Sequence, residues 1–201
     1  MRKQIKTDSS KILLENIEYH PGGDNSKLRE LLFVEQKGFC AYTETYLGRT
    51  DQKDIDHFNP TKDFIDRNKY HNLFLCKALW NKEKSNKWGD FQPMLNPCCD
   101  EFEDRVIFNK DLKIFETNND EDIEAKNLVS LLKLDDPDLA NERKRYLKRM
   151  KEISESYGCS LEELFSKIIE KFDFDNLRFI RSVTEEYGFD LWSMIPFKND
   201  E

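Results

Sequence analysis

The feature that most constrains the fold of this chain is the helical spacing of apolar residues in its second half. From residue 121 onward, apolar side chains recur every three and four positions, which is the period of an amphipathic helix. Helix-breaking residues interrupt this pattern at 135–137 (Asp-Asp-Pro), at Gly158 and at Gly188. We therefore predict a C-terminal helical bundle. Its helices are expected near residues 121–134, 137–157, 160–172 and 175–187.

The first half follows a different pattern, in which the expected strands are short. Residues 26–38 have helical spacing, but residues 39–90 do not keep it. A polar–apolar alternation over 54–58 stops at Asn59-Pro60 and predicts a short strand. The further predictions are a second strand or loop at 70–75, a helix at 76–84, and a hairpin from 105–108 and 113–115. The chain as a whole is predicted to be an α+β protein, with a small mixed region embedded among helices.

Composition divides the chain unevenly. We predict an N-terminal segment (1–25), a middle domain (26–120, with its core at 39–88) and a helical C-terminal region (121–201).

The net charge of −8 comes from 32 basic and 40 acidic residues. Residues 1–100 carry a net charge of +1, whereas residues 101–201 carry −9. If the protein handles nucleic acid, we expect a metal ion, a local basic cluster or a basic partner to hold it.

A set of polar residues in the middle domain carries recognisable chemistry. Asp56-His57 closes the first predicted strand, Asn72 follows 15 residues after His57, and Asn81 follows nine residues after Asn72. Carboxylate and amide oxygens suit a hard cation such as Mg²⁺. A neutral imidazole accepts a proton from water near neutral pH, and a bound cation stabilises charge on a phosphate. These residue types predict metal-assisted hydrolysis of a phosphodiester.

The helix predicted to carry Asn81 is also basic. Lys82, Lys84 and Lys87 lie within six positions of Asn81. Lys82 and Lys87 are candidates for contact with nucleic-acid phosphates. The alternative is a solvated helix end that is favoured by the helix dipole.

At these positions the chain resembles the HNH endonucleases, whose fold is a ββα-metal unit of a hairpin and a helix. Asp56-His57-Phe-Asn-Pro60 resembles the D-H-x-x-P box of that family. Asn72 and Asn81-Lys-Glu-Lys84 resemble its later Asn and its final Asn with Lys. The segment Gln36-Lys-Gly-Phe-Cys40-Ala-Tyr-Thr-Glu44 is similar to the helix and knuckle that open many such domains. The resemblance implies that 26–120 is an HNH nuclease domain.

The resemblance also implies a role for each residue of the set. His57 would be the general base, and Asp56 and Asn81 would be the ligands of Mg²⁺ or another divalent cation such as Mn²⁺. Asn72 would hold the loop so that the base points correctly. Lys84 would be an accessory contact to the phosphate.

The chain departs from the family at the structural zinc site. Many HNH domains hold this zinc with two C-x-x-C pairs, but the first pair is Cys40-x-x-Thr43 here, and Lys77 and Trp80 stand where the second pair would lie. The five cysteines include no C-x-x-C pair, so we expect neither a structural zinc nor a disulfide framework. The pattern gives the pair Cys98-Cys99 no role.

A narrower resemblance rests on more scattered positions. They are Gln-x-Gly-x-Cys-Ala-Tyr at 36–42, Leu95-Asn-Pro97-Cys98, and a helix with Leu131-Leu-Lys-Leu134 ahead of Glu142-Arg143. Together they are similar to the HNH subunit of the Septu and retron-associated anti-phage systems (the PtuB type). This resemblance implies an effector nuclease of bacterial defence that cuts DNA beside an ABC-like ATPase partner. RNA and tRNA remain open as substrates.

Two rival interpretations of the whole chain follow. The first is the metal-dependent nuclease. The second is a catalytically silent HNH-like adaptor in a larger complex, which the lost knuckle cysteines and the net charge of −8 favour. No apolar run approaches the length of a bilayer span and no apolar leader is visible, so we expect a cytoplasmic protein without a membrane partner.

Two further features, a basic run and an apolar stretch near the end of the sequence, each allow two interpretations. The basic run Arg143-Lys-Arg145, continued by Lys148, Arg149 and Lys151, is either a solvated helix face or a contact with DNA or a partner. The apolar stretch 189–197 either docks on the helical bundle or forms an exposed patch for a partner.

Overall fold

Helices account for far more of the chain than strands do, and the strands are short. The computed structural model describes residues 1–85 and 87–197, without the side chain of Ser85. The first helices are α1 (Lys11–Leu14), α2 (Ser26–Glu35), α3 (Phe64–Arg67), α4 (Ala78–Ser85) and α5 (Phe102–Arg105). The later helices are α6 (Ile123–Leu131), α7 (Pro137–Tyr157), α8 (Leu161–Glu170), α9 (Ile180–Tyr187) and α10 (Leu191–Met194). The strands are β1 (Lys53–His57), β2 (Leu73–Lys77), β3 (Val106–Asn109) and β4 (Ile114–Thr117).

β1, β2 and α4 form a strand–strand–helix unit. β1 pairs with β2 in an antiparallel ladder that sets Asp56 opposite Phe74 and His57 opposite Leu73. α4 follows β2 directly and packs against both strands. The predicted first strand is confirmed. The second strand lies further along the chain than predicted, because Tyr70–Asn72 forms a 3₁₀ turn before the extended backbone begins.

Gln36 makes three of the hydrogen bonds that hold the knuckle between α2 and β1 in place, two of them to β2. The Gln36 side-chain amide donates to the carbonyls of Phe39 and Leu75, and its oxygen accepts the Leu75 N–H, each at 2.8 Å. Gly38 follows with a φ of +85°, and a Cβ at this position would lie 2.6 Å from the Tyr46 ring. Only glycine fits there without displacement. The Gln-x-Gly pattern therefore has a local structural cause.

The helical half follows the predicted boundaries closely, because its ends are set by local capping. The Asp136 side chain caps α7 by accepting from the backbone N–H groups of Asp138 and Leu139, and Pro137 opens the helix. Gly158 ends α7 in the left-handed conformation, with a φ of +63°. The last predicted helix begins later than expected. The observed helix, α9, begins only after Phe179, whose φ is +54°.

One continuous apolar core joins the segments, so the helical half supports the strand–strand–helix unit directly. Leu32, Phe74, Phe115 and Phe165 are among its fully buried members. β3 and β4 form the predicted hairpin as a second antiparallel pair. Helices together with separate antiparallel strand pairs confirm the α+β class. Among the described residues, no helix combines the length and apolar character that crossing a membrane requires.

The apolar C-terminal stretch docks on this core. Leu191 and Ile195 are buried, whereas the side chain of Phe197 remains exposed. The buried ammonium of Lys37 donates to the carbonyls of Trp192 and Ile195, at 2.9 and 2.6 Å. Of the two interpretations of this stretch, docking is therefore the one that the structure favours.

Candidate functional site

His57 lies at the end of β1, where its ring is partly buried. Its Nε2 lies 2.9 Å from the side-chain oxygen of Asn68, and its ring meets the Tyr19 ring edge-on at a centroid distance of 4.6 Å. Burial lowers the pKa of His57 from its ordinary value of 6.5, against the opposing effects of the Asn68 hydrogen bond and the Asp56 charge. The imidazole is therefore mainly neutral at pH 7, the form that accepts a proton.

The Asp56 carboxylate is buried in a network of its own. It accepts from the Tyr42 hydroxyl and lies 2.7 Å from the Lys84 ammonium, and both charged side chains are almost fully buried. Lys84 also donates to the carbonyls of His57 (2.6 Å) and Phe58 (2.9 Å). These contacts match the three N–H donors of an ammonium group. The pair therefore ties α4 to the end of β1.

This arrangement differs from the roles that the resemblance implies for Asp56 and Lys84. Metal binding and phosphate contact both require groups that face a substrate, whereas here the two groups face each other. The physical reason is the two-residue period of a strand. Adjacent residues point to opposite faces, so Asp56 faces α4 and Lys84, whereas His57 faces Tyr19 and Asn68.

The Asn72 side chain spans the loop that follows β1. It is buried, its oxygen accepts the Asn59 N–H (2.9 Å), and its amide donates to the carbonyls of Asn59 (3.0 Å) and Arg67 (2.8 Å). Asn68, which contacts His57, directly follows Arg67. These contacts are the ones that a loop-holding residue makes.

Asn81 meets a carboxylate that the sequence analysis did not select. Its amide donates to the Asp54 side chain at 3.1 Å, and both residues line a cleft of about 220 Å³. Tyr19, Asn25, Arg29 and Ile55 line the rest of this cleft. Asp54 lies two residues before Asp56 and therefore faces α4 on the same side of β1. The polar–apolar alternation of the sequence places Asp54 and Asp56 on the same face of β1. It does not show which of the two aspartates contacts Asn81.

A divalent cation such as Mg²⁺ needs oxygen donors that converge on one point. In the structure the implied ligand Asp56 is paired with Lys84, and the implied ligand Asn81 lies beside Asp54. Asp54 and Asn81 supply a carboxylate and an amide oxygen, a donor set that fits Mg²⁺, which keeps several of its waters. Within the described residues, no cluster of three or more His, Cys, Asp or Glu side chains has a metal-binding arrangement.

The remaining predicted residues lie at the margins of the unit. Lys82 and Lys87 are exposed. All five cysteines are free thiols, and Cys40 and Cys76 are buried in the core beside the knuckle. Burial raises the pKa of Cys76 well above its ordinary value. Their surroundings are those of buried apolar side chains.

Comparison of this chain with protein-family models, with curated proteins and with solved structures found no match.

Proposed function

We propose that this chain is a phosphodiester hydrolase of the HNH type that acts on nucleic acid. DNA is the favoured substrate. The single observation that carries the proposal is the position of the His57 ring at the end of β1, where the Asn68 side chain and the Tyr19 ring hold it. Tyr19 also lines the cleft that contains Asp54 and Asn81. The order of β1, β2 and α4 agrees with the ββα unit that the resemblance implies.

In the proposed reaction His57 acts as the general base. Its neutral ring takes a proton from the attacking water while Asn68 fixes the orientation of the ring. Asn72 holds the loop that carries Asn68. Arg29, which lines the cleft of Asp54 and Asn81, would offer a guanidinium to the phosphate. Asp54 and Asn81 would hold Mg²⁺ or Mn²⁺, and the bound cation supplies charge stabilisation.

The test is cleavage of plasmid DNA, single-stranded DNA and RNA with Mg²⁺, Mn²⁺ or EDTA. We expect cation-dependent cleavage that His57→Ala abolishes and that His71→Ala, a change to an exposed histidine, retains. Asp54→Asn should raise the Mn²⁺ concentration needed for half-maximal activity, whereas Asp56→Asn should act through stability. Cleavage that survives His57→Ala would exclude the proposed base.

The proposal extends to a partner. The narrower resemblance supports an ABC-like ATPase and a role in anti-phage defence, and the net charge of −9 over residues 101–201 supports a second subunit that adds to the retention of DNA. If the isolated chain is inactive, the same assay is repeated with the co-expressed ATPase. Inactivity in the complex as well would contradict the nuclease.

A second function is favoured by one observation. The ion pair between Lys84 and Asp56 occupies the carboxylate that the resemblance assigns to the metal. This supports the adaptor, in which an internal cation has replaced a bound one and the unit serves only as a scaffold. An adaptor predicts that His57→Ala leaves the assembly and the activity of the larger complex unchanged.

A further inference from the structure

A cleft on the helical half gathers arginines from two elements. Arg145 and Arg149 of α7 and Arg178, which precedes α9, line a space of about 540 Å³. All three are exposed, and the buried side chains of Met150 and Phe179 also line the cleft. The further lining residues are Glu142, Tyr146 and Asn176.

These arginines differ from the lysines of the same helix. Lys148 and Lys151 each lie near the glutamate four residues later, Glu152 at 3.5 Å and Glu155 at 4.0 Å. Across the part of the chain that the structure describes, no carboxylate forms an ion pair with any of the three cleft arginines. Arg145 and Arg149 are themselves four residues apart, a spacing at which like charges destabilise a helix. An anion bound between them would relieve this repulsion.

The cleft is held in shape by Tyr146. Its hydroxyl donates to the Asn176 carbonyl at 2.8 Å and accepts the Arg178 N–H at 3.2 Å. Its ring packs edge-on against Phe179 at a centroid distance of 5.8 Å. These contacts fix the segment that carries Arg178 against α7. The backbone positions of all three arginines are therefore set relative to one another.

We propose that this cleft binds the phosphate groups of a nucleic-acid strand. Guanidinium groups pair with phosphate oxygens through two parallel N–H donors, which favours arginine over lysine at such a surface. In a protein with a net charge of −8, a local basic cluster is needed to retain a polyanion. The choice of nucleic acid over another phosphate source rests on the proposed function, whereas the cleft itself is separate from His57.

The test measures binding without cleavage. The full chain carrying His57→Ala, in EDTA, is titrated into a short fluorescein-labelled DNA duplex or single strand across a KCl series, with fluorescence anisotropy as the readout. The cleft variant combines Arg145→Gln, Arg149→Gln and Arg178→Gln. The control variant combines Lys144→Gln, Lys148→Gln and Lys151→Gln, which remove the same charge from exposed positions of α7 that do not line the cleft.

We expect the cleft variant to bind at least about tenfold more weakly at low salt, and its log–log salt slope to flatten by about 2–3. The control should keep the parent slope and lose no more than about twofold in affinity. A third variant, with lysine at the three arginine positions, should bind between the parent and the cleft variant. Circular dichroism checks that each variant is folded.

Equal losses in the cleft and control variants would overturn the proposal, as would undetectable DNA binding by the parent. ATP that binds through the same arginines while DNA does not would assign the cleft to free nucleotides instead. Arginine-dependent binding by a chain that cuts nothing, either alone or with the co-expressed ATPase, would refute the proposed hydrolase and keep the cleft. Cleavage by the parent, together with unaltered DNA binding in the cleft variant, would support the hydrolase and refute the cleft.

Discussion

Two regions of this molecule bury a lysine in almost the same way. At the end of β1, Lys84 donates to the carbonyls of His57 and Phe58 and lies within 6 Å of the Phe58 and Trp88 rings. Beneath the C-terminal stretch, Lys37 donates to two carbonyls and lies 4.6 Å from the Trp192 and Phe197 rings. Burial lowers the pKa of both ammonium groups.

The two regions differ in one group, the Asp56 carboxylate. It pairs with Lys84, whereas no described carboxylate forms an ion pair with Lys37. Lys37 shows that carbonyls and aromatic rings suffice to hold a buried ammonium in this protein. The carboxylate at Lys84 is therefore not needed for burial alone. Because the pair lies directly behind His57, we interpret it as a support for that residue.

The largest predicted effect on stability comes from replacing a buried lysine, either Lys84 or Lys37. Lys84→Met leaves the Asp56 carboxylate buried without its cation, which we expect to lower the free energy of unfolding by about 3–5 kcal/mol. Lys37→Met leaves only carbonyls unpaired and should cost about 1–3 kcal/mol. Urea denaturation measures both values. Equal losses would remove the distinction between the two regions.

Removing the carboxylate as well should restore part of the loss. We expect Asp56→Asn combined with Lys84→Met to recover about 1–3 kcal/mol relative to Lys84→Met alone, because no buried charge is left uncompensated. Denaturation of the two single variants and the double variant completes the cycle. A double variant less stable than Lys84→Met would show that the two side chains act independently.

The loop after β1 offers a matched pair of asparagines. Asn72→Ala should lower the free energy of unfolding by about 1–3 kcal/mol, because it leaves partly buried backbone groups of Asn59 and Arg67 unpaired. Asn25 makes the same set of bonds, to His20 and Gly23, at an exposed turn. Asn25→Ala should therefore cost less, since water replaces the lost bonds. Hydrogen exchange over 58–69 should quicken only in the Asn72 variant.

The smallest predicted effect is on His57. Lys84 contributes to the lowered pKa of His57, so Lys84→Met should raise that pKa, whereas Lys37→Met should leave it unchanged. Imidazole NMR measures it, since the chain has only three histidines and His57→Gln assigns the signal. A pKa that moves equally in both lysine variants would contradict the proposed support.

The same shift fixes the sign of one pH effect. Between the lowered folded value and the ordinary value of 6.5, the unfolded chain binds more protons at His57 than the folded chain. The parent should therefore lose stability relative to His57→Gln as the pH falls through this window, and the two should differ by a constant amount above it. Denaturation at several pH values between about 5 and 8 measures the difference.

The sequence by itself determined the local elements. The limits of α7 are those of the apolar period and of the residues Asp136, Pro137 and Gly158, all of which act within a turn of the helix end. The order of β1, β2 and α4 was likewise predicted from residues 54–84, apart from the late start of β2. Such features depend on neighbours along the chain, so a single sequence records them.

Only the tertiary structure decided which polar groups meet. Asp54 and Asp56 are equivalent in the strand pattern, and packing of α4 gives Asn81 to the first and Lys84 to the second. The basic run of α7 divides in the same way. Arg143 is buried on the carbonyls of Lys113 and Leu134, Arg145 and Arg149 line the cleft, and Lys148 and Lys151 lie near glutamates. The reason is physical, because the partner of a charged side chain is set by elements that lie far away in sequence.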